Sequence, residues 1–293
     1  MRFGLIIVYK FTVKGEISVD WNEGPCRIDT LENVDCIFSI DENGNSTLKN
    51  AHLFDDNNKL FTITGVYIET EYNNLIRDQL MEIKNKYWED GLFQGKRVVF
   101  HSKEIRKKQG PFNPKLINYI DFKNKLNDFL SGLPVKMYSA TIDKFEHNNR
   151  YINPYPVYEL GVEFIIERFC FDLRRKNKQG VVLLESRGFK EDCLVLSKLK
   201  NLLESGNDYN SEDNFSCISG VYFNPKRTSD GRQSYWPLEI SDILSYRIHR
   251  FIRTGIEDED FVCIKDKIFG YPDFEGKGLK IFPYKELRSE KNE

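Results

Sequence analysis

Apolar runs of five to ten residues alternate along the chain with longer stretches of helical spacing. That is the rhythm of strands separated by helices. Residues 3–9 and 11–19 read as two strands, the second through Phe11, Val13, Ile17 and Val19. Residues 1–34 therefore predict an N-terminal β-hairpin extension, with the main domain beginning near Val34. Residues 36–41 are a short apolar strand that stops at Asp41-Glu42-Asn43-Gly44, a turn signal. A β-branched strand follows over 60–69, then a helix over 71–88 on Leu75, Leu80, Ile83 and Tyr87. Val98-Val99-Phe100 reads as a short strand, and 114–131 as a helix on Leu116, Ile117, Ile120, Leu126 and Leu130.

A strand from Val135 to Ile142 leads to a long helix over 156–173, carrying Leu160, Phe164, Ile165, Phe169 and Phe171. Gly180 to Leu184 is a continuous apolar run, the pattern of a strand buried on both faces. A helix over 190–203, a strand over 215–223 and a helix over 237–253 complete the pattern. The last carries its stripe on Ile240, Ile243, Leu244, Ile248 and Phe251. The expected fold is α/β, one domain over 35–285, with a charged tail over 286–293 that frays.

Composition narrows this picture only slightly. Lys plus Arg number 43 against 45 Asp plus Glu, a net charge of −2, so non-specific coating of nucleic acid gains no support. A local basic patch that grips a few phosphates remains open. The six Cys are scattered, with no CxxC pair and no zinc-like spacing to His, which points to a reducing cytoplasm. No stretch approaches the roughly 20 apolar residues of a membrane helix.

Candidate chemistry gathers at strand ends. Asp41 follows Cys-Ile-Phe-Ser-Ile, Glu185 follows Val-Val-Leu-Leu, and Asp242 stands in Leu238-Glu239-Ile240-Ser241-Asp242-Ile243. In open α/β sheets the carboxyl ends of strands are where ligands gather. Clustered carboxylates repel, and a divalent cation such as Mg²⁺ or Mn²⁺ relieves that repulsion. Each also has a plain structural reading. Asp41-Glu42 can be part of a β-turn, and Asp242 lies opposite the apolar stripe and can face water. Glu191 and Asp192 suit the first turn of any helix. Asp143-Lys144 reads as a surface ion pair or a site pair. The basic segment Lys96-Arg97…His101-Ser102-Lys103-Glu104-Ile105-Arg106-Lys107-Lys108 can rim a phosphate site or simply be solvated. Arg187 adjoins Glu185. No P-loop, dinucleotide fingerprint, GxSxG elbow or HExxH is present.

Six short motifs in one order resemble a bacterial and phage family catalogued as domain of unknown function 3800. They are Ile40-Asp41-Glu42-Asn43-Gly44, Thr64-Gly65-Val66, Phe100-His101-Ser102-Lys103-Glu104-Ile105, Ala140-Thr141-Ile142-Asp143-Lys144, Leu184-Glu185-Ser186-Arg187-Gly188 with Glu191-Asp192, and Leu238 to Ile243. The resemblance covers about residues 36 to 255. Asn43 stands where the family has Ser, and Glu239 where it has Gln. The resemblance implies an RNase H-like mixed sheet flanked by helices, with Asp41, Glu185 and Asp242 on one or two Mg²⁺ or Mn²⁺ ions. It adds Glu42 and Asp192 as further catalytic candidates.

The expected function is a metal-dependent nuclease acting on RNA or DNA, in phage defence or a mobile element. His101, Lys103, Lys144 and Arg187 are the expected substrate contacts. Two other readings stand beside it: a non-catalytic subunit that binds a protein partner of a defence system, and an enzyme acting on a small phosphorylated molecule.

Overall fold

The computed structural model describes residues 12–13, 16–17, 20–29, 34–55 and 58–283. Six strands form one mixed sheet: β1 (Cys36–Asn43), β2 (Leu60–Glu69), β3 (Val135–Asp143), β4 (Gly180–Glu185), β5 (Ile218–Asn224) and β6 (Leu279–Phe282). Their spatial order is β6-β3-β2-β1-β4-β5. Only β2 runs against the rest, pairing antiparallel with β1 and β3; β1–β4, β4–β5 and β3–β6 are parallel.

Helices cover both faces, as the apolar runs require. They are α1 (Asn73–Tyr87), α2 (Ser102–Lys107), α3 (Tyr119–Gly132), α4 (Lys144–Arg150), α5 (Val157–Lys176), α6 (Phe189–Ser205), α7 (Trp236–Thr254) and α8 (Glu259–Val262). Ile37, Val66, Val181 and Leu183 pack with α1, α3 and α7 on one face. Cys36, Phe38, Ile40, Val182 and Leu184 pack with α5 and α6 on the other. Phe38 stacks on Phe169 with ring centroids 4.3 Å apart. Gly65 makes room for that stack, because a Cβ there would lie 1.9 Å from the Phe38 ring. Burying each such ring contributes roughly 1.5–3 kcal/mol.

The structure differs from the sequence expectations at definite places. β1 continues through Asp41, Glu42 and Asn43, which pair with Thr64, Ile63 and Thr62; the turn begins only at Gly44. Val98 to Phe100 is buried but joins no strand. Its backbone finds other partners: Val98 N donates to Gly91 O at 3.0 Å and Phe100 N to Glu239 Oε2 at 2.7 Å. α3 starts at Tyr119, capped by Asn118, which leaves Leu116 and Ile120 exposed rather than in its stripe. Phe171 likewise faces out of α5. The edge strand β6 had no sequence expectation at all.

Of the expected N-terminal hairpin, a short antiparallel ladder pairs Thr12–Val13 with Glu16–Ile17. The remainder of both strands, residues 30–33 and the tail from 284 onward fall outside the described residues. Residues 26–28 run along the open edge of β5. Phe223 N donates to Cys26 O at 2.8 Å, and the Asn224 amide clasps Ile28 at both N (3.1 Å) and O (2.8 Å). That covers an edge otherwise free to pair with another chain. Among the described residues no helix is long and apolar enough to cross a membrane.

Candidate active site

The topology brings the carboxyl ends of β1 and β4 side by side. Their parallel register pairs Ile40 with Leu184, so Asp41 and Glu185, the next residue on each strand, stand level with one another. Both follow the alternation of Ile37 and Leu183 and point to the α7 face. α7 lies close on this face because small hydroxyls meet there: Ser39 Oγ and Ser241 Oγ are 3.1 Å apart, and Asn43 Nδ2 donates to Ser245 Oγ at 2.8 Å. One turn on, His249 Nδ1 meets Thr62 Oγ1 at 2.9 Å. Anchored at 241, 245 and 249, α7 turns Asp242 inward to the two strand ends. Asp242 is buried, which overturns the water-facing reading of its helical position.

The side chain at the centre of this cluster was not anticipated. Lys226, two residues beyond β5, extends its ammonium between the carboxylates. It is 3.0 Å from Glu185 Oε2 and bonded to Asp242 Oδ2, and it is buried. His101 closes the other side, with Nδ1 2.9 Å from Asp242 Oδ2 and Nε2 3.4 Å from Lys226 Nζ. These contacts are satisfied together when Nδ1 carries the proton and Nε2 presents its lone pair to the ammonium. The second Asp242 oxygen accepts from Ser102 N at 2.9 Å. A missed cation at a strand end was visible in principle: Asn224-Pro225-Lys226 is as much a strand terminus as Leu184-Glu185.

The charges separate the two aspartates. Burial would raise the Asp242 carboxyl, but His101, Lys226 and Ser102 hold it well below the usual range. Asp41 has no such donors. Among the described residues no hydrogen bond reaches its carboxylate. Burial, with Asp242 and Glu185 nearby, pushes it up to about 8 against the opposing pull of Lys226 and Arg187. Burial alone would lower the Lys226 ammonium, but the three carboxylates together keep it above its ordinary value. Tyr158 on α5 is raised in turn, by burial and then by Asp41 and Asp192, so its phenol stays protonated.

The other expected site residues divide. Glu42 alternates to the opposite face from Asp41 and pairs with Arg187. Asp192 is buried and organises the turn after β4, accepting from Ser186 Oγ at 2.6 Å and Arg187 N at 2.9 Å. Gly188, at φ 105°, completes that turn. Glu191 is exposed. Asp143 caps α4, accepting from Glu146 N at 3.1 Å. Lys144 is buried: its ammonium donates to Asn45 O at 2.9 Å and lies over the Phe54 ring, away from the acidic cluster. Asp143-Lys144 is therefore no surface ion pair. Lys103, Lys107 and Lys108 are exposed on or beside α2, directly after the Ser102 amide that holds Asp242. Arg106 stacks on Tyr246.

Glu239, which differs from the resembling family, does not enter the site. It forms a fully buried pair with Lys84 at 2.7 Å, and its other oxygen accepts from Phe100 N.

Among the described residues no group of three His, Cys, Asp or Glu side chains stands ready as a metal cage. Glu185 and Asp242 are bridged by the Lys226 ammonium instead. The donor set nonetheless suits a hard divalent cation, being carboxylate oxygens with one of them, Asp41, short of any donor. Comparison with protein-family models and with curated proteins finds no match for this chain.

Proposed function

We propose that this protein is a metal-dependent nuclease that hydrolyses phosphodiester bonds of RNA or DNA, with Asp41, Glu185 and Asp242 as its acidic centre. One observation carries the reading. Three carboxylates from two adjacent strand ends and a facing helix converge, and among the described residues no hydrogen bond reaches the strand-end Asp41 carboxylate. A partly exposed carboxyl held beside two other acids, with its titration raised by burial and by them, is the kind of perturbed group that gathers at functional sites.

The strand order supports the same reading. β3-β2-β1-β4-β5 with β2 alone reversed is the arrangement expected of an RNase H-like sheet, the fold implied by the resemblance to domain of unknown function 3800. A bound Mg²⁺ or Mn²⁺ would supply an activated water and a counter-charge for the leaving oxygen. Asp41, Glu185 and Asp242 would hold it. His101 stands against Asp242 at the mouth of the centre, within reach of a scissile phosphate. The exposed lysines of α2 supply positive charge on the same side, suited to a nucleic-acid backbone. Phage defence or a mobile element is the setting proposed, through the family resemblance.

The test is a cleavage panel of single- and double-stranded RNA and DNA in Mg²⁺ and in Mn²⁺, with Asp41→Asn and Asp242→Asn as controls. Cleavage of at least one substrate by the wild type, lost in both variants and in EDTA, is the expected result. A wild type inert on every substrate, or an Asp41→Asn protein that cuts as well as the wild type, overturns the reading.

A further inference from the structure

We infer that the Lys226 ammonium is the resident cation of the acidic centre, and that a divalent metal enters by displacing it. This rests on the proposed metal-binding role of that centre and adds how the centre is regulated.

Lys226 Nζ contacts an oxygen of Asp242 and Glu185 Oε2, and its charge is felt by Asp41. These are the oxygens a metal would need at ~2.0–2.2 Å. An ammonium about 3 Å from the same oxygens would then stand within a few ångströms of a doubly charged ion in a recessed site. Two cations at that separation repel strongly, because little water lies between them. The long aliphatic stem of Lys226 offers an easy exit, since rotation about its side-chain bonds carries the ammonium outward. His101 Nε2 faces the ammonium at 3.4 Å and loses that partner in the exchange, which frees its lone pair on the substrate side.

The consequence is a centre that is folded and charge-compensated without metal. One ammonium stands among three carboxylates that would otherwise repel each other. Metal affinity is lowered by the same contact that stabilises the empty centre, so loading becomes sensitive to metal concentration. Incoming phosphate, which attracts both the metal and a freed ammonium, would favour the loaded state.

Two measurements without nucleic acid test this. Calorimetric titration with MnCl₂ compares the wild type with Lys226→Met and Lys226→Arg. Lys226→Met should bind Mn²⁺ about tenfold tighter or more and melt at a lower temperature without metal, while Lys226→Arg stays near the wild type. Amine-reactive labelling of the wild-type protein, mapped by mass spectrometry, should show Lys226 becoming more reactive as Mn²⁺ is added; this arm needs no variant to fold. Equal or weaker Mn²⁺ binding by Lys226→Met, or Lys226 labelling unchanged at saturating Mn²⁺, overturns the exchange and leaves the metal centre standing. No Mn²⁺ binding by either protein overturns both.

Discussion

Two lysine–carboxylate clusters hang from α7 one turn apart, and their difference separates structure from chemistry. The first joins Lys84 to Glu239. Both side chains are fully buried, and their polar contacts are closed: Lys84 Nζ bonds Glu239 Oε1 at 2.7 Å and Ser234 Oγ at 3.0 Å, while Glu239 Oε2 accepts from Phe100 N. One positive charge meets one negative charge. The second sets the Lys226 ammonium among Asp242, Glu185 and Asp41, with His101 alongside. It is acidic in excess, it opens on the side of the half-exposed Glu185, and one of its carboxylates lacks a donor. A closed, neutral cluster fixes the fold, here by holding α1, α7 and the 98–100 segment together. The open, unbalanced one is the centre proposed above to take a divalent cation.

The comparison breaks first if Lys84 is not structural. Lys84→Met leaves Glu239 buried without its partner and should cost about 3–5 kcal/mol in urea unfolding. Lys226→Met should cost less, because Asp242 keeps His101 and the Ser102 amide as partners and Glu185 is partly exposed. Equal losses at the two lysines would erase the distinction.

Asp41→Asn comes next. Cleavage should fall about 10³-fold, while metal-free stability changes the other way. The folded carboxyl sits at about 8 and the unfolded one near ~3.9, so the folded protein holds the extra proton between these values. Stability conferred at low pH is lost as pH rises through that window. Asp41→Asn removes the loss and should be more stable than the wild type above pH ~8 by about 1–3 kcal/mol, with no gain at pH ~4. Urea unfolding in EDTA at the two pH values reads this directly.

A pH effect of the opposite sign belongs to His249, an anchor of α7. Burial, with Arg253 and Arg106 nearby, lowers it to about 4. The unfolded chain takes up a proton near pH ~6.5 and the folded one does not, so stability falls as pH drops from ~6.5 to ~4, by about 1–3 kcal/mol at most. His249→Asn should flatten that slope without changing the one above pH 7.

The mildest change is on the rim. Lys103→Ala and Lys107→Ala should each weaken binding to nucleic acid a few-fold and reduce its salt slope by about 1, leaving stability unchanged. Unaltered salt dependence would remove α2 from the proposed interface.

Much of this arrangement was legible in the sequence, for physical reasons that also explain the gaps. β4 announced itself because a strand buried on both faces must be apolar throughout, and β2 because β-branched residues crowd its central position. β6 was invisible: Leu279-Lys280-Ile281-Phe282 is an edge strand too short and too mixed to carry a period. The 98–100 segment looked like a strand because burial alone makes a run apolar, whereas a Glu239 carboxylate supplies the partner that a strand would. Asp242 looked solvent-facing because α7 is packed on nearly every side, and a single stripe says nothing of a second contact made by polar groups. Lys226 stands at a position as visible as Glu185, but a lysine after a strand carries no sign in the sequence of the distant carboxylates it meets in the fold.

Asp41, Glu185 and Asp242 are proposed to form a divalent-metal centre. Crystals soaked in Mn²⁺ and measured at the manganese absorption edge test it most directly. The expected result is an anomalous peak between those three carboxylates, with Lys226 swung away from Asp242. Full Mn²⁺ exposure with no peak there, and Lys226 still bonded to Asp242 and Glu185, would contradict it.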